Sequence, residues 1–369
     1  MEKLGKYISA IDVRNKNLAI NNLLGVSITK TFIPSIANIV GTDLSSYKVV
    51  KKGQFAYGPV TSRNGEKISV ALLQGDDCII SSSYTVFEVK DTNKLNPEYL
   101  MLWFSRLEFD RYARYRSHGS VREIFDWEEM CEVELPIPTI EKQREIVSAY
   151  QMITNRIELK RRINDNLEAL AQAYFDHLFI TDDDPDCTLA DIALVNPSRQ
   201  LSKGSIAKCF DMSTLPTKGC IPEGETLKPY NGGTRFINGD TLIARITPCL
   251  ENGKAAFINV LENDEVAFGS TEFIVFASKN NVPPSFYYFL IRNSRFVTFA
   301  LQFMNGSSGR QRVSGEELAS FSLKYPSSHD LQRFDAVGSK ILLQMRDSIS
   351  EIRALQELQA SITATLSSR

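Results

Sequence analysis

No stretch of the 369 residues strings together about 18 apolar side chains, the length a membrane-spanning helix needs. The opening Met1-Glu2-Lys3-Leu4-Gly5-Lys6 lacks the apolar core of a signal peptide, so a cytoplasmic chain without membrane attachment is expected. Histidine is scarce: His118, His177 and His329 stand apart, and the six cysteines contain no C-x-x-C pair, so no structural metal site is expected. Charge of one sign is also missing. With 42 Lys+Arg against 44 Asp+Glu the formal net charge is −2, which on average argues against a simple basic nucleic-acid binder.

The usual catalytic motifs fail in their details. Gly219 to Gly224 has the glycine spacing of a phosphate loop, yet Glu225 stands where a lysine must meet phosphate, and a carboxylate there repels the ligand. Asn196-Pro197-Ser198-Arg199 begins like an amino-methyltransferase motif but lacks the aromatic ring that stacks a flipped base, and no glycine-rich turn precedes it. Pro185-Asp186 is followed by no lysine with an acidic residue two positions earlier, as a metal nuclease requires. No nucleophile is paired with a base, so no catalytic site and no cofactor site are expected in this chain.

What the chain does contain is a repeat of about 188 residues. Cys78–Phe87 falls on Val266–Val275, each an apolar run, a small hydroxyl cluster and a β-rich run. Asn64-Gly65 falls on Asn252-Gly253, Gly119–Arg122 on Ser307–Arg310, and Glu132–Pro138 on Ser320–Pro326. With a small shift, Leu4–Ile8 also matches Leu189–Ala193. A period this long makes each repeat a domain with an attached element rather than a solenoid turn.

The attached elements read as long helices. Residues 140–178 contain neither Gly nor Pro, and apolar residues recur at Ile146, Tyr150, Ile153, Ile157, Ile163, Leu167, Leu170, Tyr174 and Leu178. The second copy, from about Leu331 to Leu366, carries Leu342, Met345, Ile349, Ile352, Leu355, Leu358, Ile362 and Leu366 at close to coiled-coil spacing. Because one domain precedes the first helix and the other follows it, two such helices packed together must run antiparallel. The other arrangement folds each helix back on its own domain. Short β-rich runs at Gln54–Tyr57, Ile68–Leu73 and Ile79–Val89, and at Thr241–Ile246, Ala255–Val260 and Ala267–Phe276, each precede a helical stretch. The expected class is therefore α+β: two pseudo-repeat globular domains, 1–139 and 189–328, joined through helices over 140–179 and 329–369 and a linker at 180–188.

Charge location says more than charge total. Residues 1–188 hold 23 basic and 27 acidic groups, a net of −4, and residues 189–369 hold 19 and 17, a net of +2. Yet 292–312 contains Arg292, Arg295, Arg310 and Arg312 with no acid, and its repeat mate 104–124 contains five arginines against three acids. Each window runs into a Gly/Ser loop whose amides and hydroxyls suit close approach to phosphates, with arginine beyond it.

Three features together resemble the specificity (S) subunit of type I restriction-modification systems over essentially the whole chain. These are Leu135-Pro136-Ile137-Pro138-Thr139-Ile140-Glu141-Lys142-Gln143-Arg144-Glu145-Ile146 opening a long helix, Gly239–Cys249, and Ser307–Arg312. The second helix opens at Pro326 without the second proline or the acidic-glutamine spacing. The resemblance implies two target recognition domains, each reading half of a split, asymmetric sequence in double-stranded DNA, with an antiparallel coiled coil setting the gap. It also implies a non-catalytic subunit that scaffolds two methyltransferase (M) subunits carrying S-adenosylmethionine and restriction (R) subunits using ATP and Mg2+. Residues expected at DNA are Arg63, Asn64, Ser83, Tyr84, His118, Ser120 and Arg122 in the first domain. In the second they are Arg245, Asn252, Thr271, Glu272, Ser308, Arg310, Gln311 and Arg312. Tyr84 and Asn64 also fit a core ring and a turn residue. Lys160, Arg161 and Arg162 fit a solvated helix face as well as a DNA or M contact. The alternative function is a non-enzymatic coiled-coil adaptor with two protein-binding domains.

Overall fold

The computed structural model describes the chain except residues 36–40, 63, 120–122, 182–183, 307–309 and 367–369. It divides into two compact units, Met1–Arg156 with Leu355–Arg369, and Ile157–Ala354. Both long helices, Ile140–Phe179 and Ser328–Thr365, contribute to both units.

The units share one topology. In unit 1 an antiparallel sheet runs in the order Ile8–Ile11, Thr85–Val89, Phe55–Tyr57, Val70–Leu72. In unit 2 the order is Ala193–Val195, Phe273–Ser278, Thr241–Ala244, Ala255–Phe257, again antiparallel throughout. A two-residue ladder closes each: Glu2–Lys3 on Glu134–Leu135, and Cys187–Thr188 on Ser322–Leu323. Two helices follow each sheet, Pro97–Phe104 with Leu107–Arg116, and Pro284–Arg292 with Ser294–Gln302. Their starts are written locally. Asn96 caps the first by accepting from the Tyr99 amide at 2.8 Å with Pro97 in the first turn, and Asn293 caps the last by accepting from the Arg295 amide at 2.8 Å.

The remaining strands keep one order in both units but pair more fully in unit 2; in unit 1, among the described residues, a single parallel bridge, Leu23 with Ile79, joins the two pairs. Unit 1 has a hairpin, Leu24–Val26 with Phe32–Pro34, and a pair, Lys48–Val50 with Cys78–Ile80. Unit 2 has a second four-stranded sheet over Thr226–Pro229, Ile206–Phe210, Ala267–Gly269 and Thr234–Phe236, in which the middle pair is parallel. The unit 1 hairpin is fastened by Lys30 at its turn, which donates to Asp110 Oδ1 at 2.5 Å and to the Ile68 carbonyl at 3.2 Å. Asp110 also accepts from the Ile68 amide at 3.1 Å, and both charged side chains are buried.

Aromatic rings fill the cores. In unit 1 Phe55 stacks on Phe87 at 4.8 Å. In unit 2 Phe334 meets Tyr174, Phe175, Phe179 and Phe289 at 5.3–6.1 Å. Gly338, one turn on, leaves room for that ring, since a Cβ there would lie 2.9 Å from it.

Within unit 2 the helix segments run antiparallel: Lys160 pairs with Glu351 at 2.6 Å while Phe175, farther along the first helix, meets Phe334, earlier in the second. Within unit 1 Gln359 donates to Thr154 Oγ1 at 2.7 Å, and Leu366 is buried in the core that also takes Ile146, Val147 and Tyr150. The expected seam needs correction at three positions. Ile163, Leu170 and Leu358 are 41%, 62% and 49% exposed, whereas Ile157, Asn164, Ala171, Phe175 and Phe179 are buried. The buried set advances by seven and four residues and includes a polar and a small side chain, so a stripe drawn from large apolar residues drifts off it. Among the described residues no helix is long and apolar enough to cross a membrane.

The helix-opening motif has a physical role. Gln143 is fully buried and donates to the carbonyls of Lys94 at 2.9 Å and Pro138 at 2.8 Å, while its Oε1 accepts from the Asn96 amide at 2.8 Å. It thereby ties the long helix to the capped start of Pro97–Phe104.

Candidate nucleic-acid interface

In each unit the sheet register brings two turns to one end. Tyr57 pairs with Thr85, so the loop after Phe55–Tyr57 and the turn before Thr85–Val89 lie together. Ala244 pairs with Phe273, which does the same for the loop after Thr241–Ala244 and the turn at 270–272.

The flanks of a third loop, the Gly/Ser segment after the helix pair, are pinned onto that end by backbone hydrogen bonds that recur in both units. In unit 1 His118 and Ile124 exchange amide and carbonyl at 3.1 and 2.9 Å. The Thr61 amide donates to the Glu123 carbonyl at 3.0 Å, and the Phe125 amide to the Pro59 carbonyl at 2.9 Å. In unit 2 Asn305 and Arg312 make the exchange at 3.0 and 2.8 Å, the Thr247 amide donates to the Gln311 carbonyl at 3.0 Å, and the Val313 amide to the Arg245 carbonyl at 3.0 Å. Two threonine hydroxyls add to the clasp: Thr61 Oγ1 donates to Ser117 Oγ at 2.9 Å, and Thr247 Oγ1 accepts from the Gln311 amide at 3.1 Å. Thr61, Ser117, Thr247 and Asn305 were not among the expected residues. The threonines hold matching places after matching strands, a signal available only once the repeat is aligned with a two-residue shift.

Four expected residues, Arg63, Ser120, Arg122 and Ser308, lie outside the described residues. In unit 1 Ser83 is exposed in the turn, and His118 is exposed with Nε2 3.9 Å from Glu129. Tyr84 is half-buried against the Val26–Val50–Ala56 core, and Asn64 serves a turn, its amide donating to the Thr61 carbonyl at 3.0 Å. In unit 2 Thr271 and Arg310 are exposed, Gln311 is half-buried, and Asn252 stands exposed on a turn where Gly253 takes φ +72°. Arg245, Glu272 and Arg312 come together. Arg312 Nε donates to both carboxylate oxygens of Glu272 at 3.0 and 2.9 Å and Nη2 to Oε1 at 2.7 Å, while Arg245 Nε stands 3.9 Å from Oε2. The Arg312 hydrogen bonds and the second guanidinium hold the Glu272 carboxyl below its usual range.

The two arginine windows are not free basic surfaces. Arg106 is buried and stacks on Trp103 at 4.0 Å, Arg114 pairs with Glu123, and Arg116 donates to Glu129 at 2.6 Å. Arg292 donates to the carbonyls of Gly253, Gly219 and Thr217 at 2.5–3.2 Å, and Arg295 to that of Thr181 at 2.9 Å. A guanidinium is the donor best able to gather several carbonyls, so sequence counts overstate the charge offered to a ligand. Arg111 and Arg310 remain exposed. On the long helix, Lys160 is taken by Glu351 while Arg161 and Arg162 are exposed.

Residues 28–169 match the family model described as the type I restriction modification DNA specificity domain. The chain is similar to the type I restriction enzyme EcoEI specificity subunit of Escherichia coli, 26% identical over 189 residues, covering 48% of this chain and 32% of that protein. It is also similar to the HindI specificity subunit of Haemophilus influenzae, 30% identical over 154 residues, covering 41% of this chain and 32% of that protein. The matched stretch therefore spans about a third of the length of these curated relatives. Among solved structures, the type I restriction-modification S subunit from M. genitalium superposes with a TM-score of 0.59 at 12% identity, covering 99% of this chain and 95% of that one, a likeness of fold.

Proposed function

The chain belongs to the family of type I restriction-modification specificity subunits, and from that premise we propose that it reads a bipartite, asymmetric sequence in double-stranded DNA and performs no catalytic step itself. One observation carries the reading: the same three-loop end, closed by the same backbone hydrogen bonds, is built twice with different side chains. Two like frames with unlike residues suit two half-sites of unlike sequence. The readers are the globular parts at 1–139 and 189–328, and the antiparallel helices at 140–179 and 329–369 set the distance between half-sites. The loop residues that approach DNA are Arg63, Asn64, Ser83, Tyr84, His118, Ser120 and Arg122, then Arg245, Asn252, Thr271, Glu272, Ser308, Arg310, Gln311 and Arg312. Methyltransferase subunits, two per chain, dock on this scaffold and bring S-adenosylmethionine; restriction subunits bring ATP and Mg2+ chemistry.

With many window arginines held internally, much of the phosphate attraction falls to the partner subunits. Mapping adenine methylation in a host that expresses this chain with its M subunit tests the reading. A split methylated motif is expected, and its absence overturns the proposal. Exchanging residues 189–326 for those of a relative alters one half of that motif only; a change in both halves breaks the assignment of one reader to each half. Arg310→Ala with Arg312→Ala weakens DNA binding by the complex and flattens its salt dependence.

A further inference from the structure

We propose that Glu272 is a positioning residue that fixes the Arg312 guanidinium so that its outer edge reads a single guanine in the half-site taken by unit 2. The inference rests on the DNA-reading function above. A guanidinium carries its N–H groups on two usable edges. Glu272 occupies the edge formed by Nε and Nη2, with three contacts of 2.7–3.0 Å. The edge formed by Nη1 and Nη2 points away from that carboxylate by the planarity of the group, and Nη1 is held weakly, reaching the Arg310 carbonyl at 3.4 Å. Two parallel N–H groups on one edge match the N7 and O6 acceptors of guanine in the major groove.

Both ends of the pair stand on fixed backbone. Arg312 exchanges amide and carbonyl with Asn305, and Glu272 is held by Ser270 Oγ, which accepts its amide at 3.1 Å, and by the Arg245 amide, which donates to its carbonyl at 2.9 Å. The side chains nevertheless remain accessible, 42% exposed for Arg312 and 25% for Glu272. Freezing a long side chain in the free protein removes an entropy cost from binding and penalises every base whose acceptors do not meet the fixed edge. Arg245, the second cation beside the same carboxylate, shares the Glu272 charge with Arg312, so the acid orients Arg312 without being balanced by it alone. Among the described residues unit 1 shows no counterpart: the matching turn bonds and bridges place Ser83 and Ile124 where unit 2 has Glu272 and Arg312, so the guanine reader belongs to one half-site.

The test uses the complex of this chain with its methyltransferase partner and duplexes carrying the methylated motif. Each guanine of the unit 2 half is replaced in turn by 7-deazaguanine, which removes the N7 acceptor. For the natural protein, one replacement is expected to weaken binding between about fivefold and a hundredfold. Arg312→Lys loses that penalty while keeping the salt dependence. Glu272→Gln reduces the penalty while binding to unrelated duplex stays equal or tightens. A penalty retained within about twofold in Glu272→Gln overturns the positioning role, as does a natural protein with no N7-dependent guanine in that half, which needs no variant to fold. A merely structural ion pair moves the unfolding midpoint but not the base discrimination. If the natural complex prefers no duplex sequence at all, the DNA-reading function fails instead.

Discussion

At the start of the first long helix a buried amide makes three hydrogen bonds, through Gln143, to the loop and helix beneath it. At the corresponding place of the second long helix stands Leu331, buried with Phe334 in an aromatic core, while both helix starts keep a hydroxyl cap: Thr139 Oγ1 accepts from the Lys142 amide at 3.4 Å and Ser327 Oγ from the Asp330 amide at 3.1 Å. The nearest polar tie is from Ser285 Oγ to Asp335 at 3.0 Å. One geometry is thus closed by directional bonds in unit 1 and by apolar packing in unit 2. A duplicated scaffold can keep its shape while its chemistry changes, provided the whole group of partners changes together: a glutamine amide needs its acceptors and its donor, and a leucine needs the rings.

Four substitutions test how the two units are held, three of them at the joints. Phe334→Ala empties the centre of the unit 2 ring cluster and is expected to cost about 5 kcal/mol, read from denaturant unfolding. Lys30→Met leaves Asp110 charged and buried in unit 1, at about 3 kcal/mol; a variant as stable as the natural protein refutes the buried-pair account. Gln143→Ala strands the Asn96 amide and two carbonyls, at about 2 kcal/mol, and Leu331→Gln is expected to cost a similar amount because Pro283, with no N–H, stands where Asn96 offers its amide in unit 1. If the two exchanges are neutral, the joints are interchangeable and the contrast dissolves.

The smallest effect concerns the cap of Gly315–Ala319, where Ser314 and Glu317 hydrogen-bond reciprocally. Ser314→Ala is expected to cost about 1 kcal/mol. The backbone amide of Ser314, which donates to Glu317, holds that carboxyl below its usual range. Its folded value is therefore lower than its unfolded one, so its contribution is present above the unfolded value of about 4.5 and fades as pH falls through the folded value. Thermal melts of Glu317→Gln should show a shallower loss of stability across that acid range than the natural protein.

Much of the architecture was legible because it is written in punctuation. Prolines stop strands before both long helices, glycines mark turns that take positive φ at Gly65 and Gly253, and the repeat aligns them. The seam of the long helices was less legible, because Asn164 and Ala171 sit in it and carry no large apolar signal. In the site, Glu272 and Arg312 were named from their neighbourhoods, but their mutual contact was not, since it joins turns forty residues apart in the chain. The arginine windows misled for a related reason: whether a guanidinium faces solvent or gathers carbonyls depends on a fold that brings Gly219 and Gly253 to Arg292.

The short ladders Glu2–Lys3 on Glu134–Leu135 and Cys187–Thr188 on Ser322–Leu323 zip the way in and the way out of each globular part side by side. A segment whose two ends meet in one ladder makes a small incision in the chain that carries it, however much it contains. Such a segment can be cut out and another spliced in without altering the direction of the helix that follows. Inheritance can therefore act on each part as a cassette, while drift within a cassette leaves the splice itself untouched.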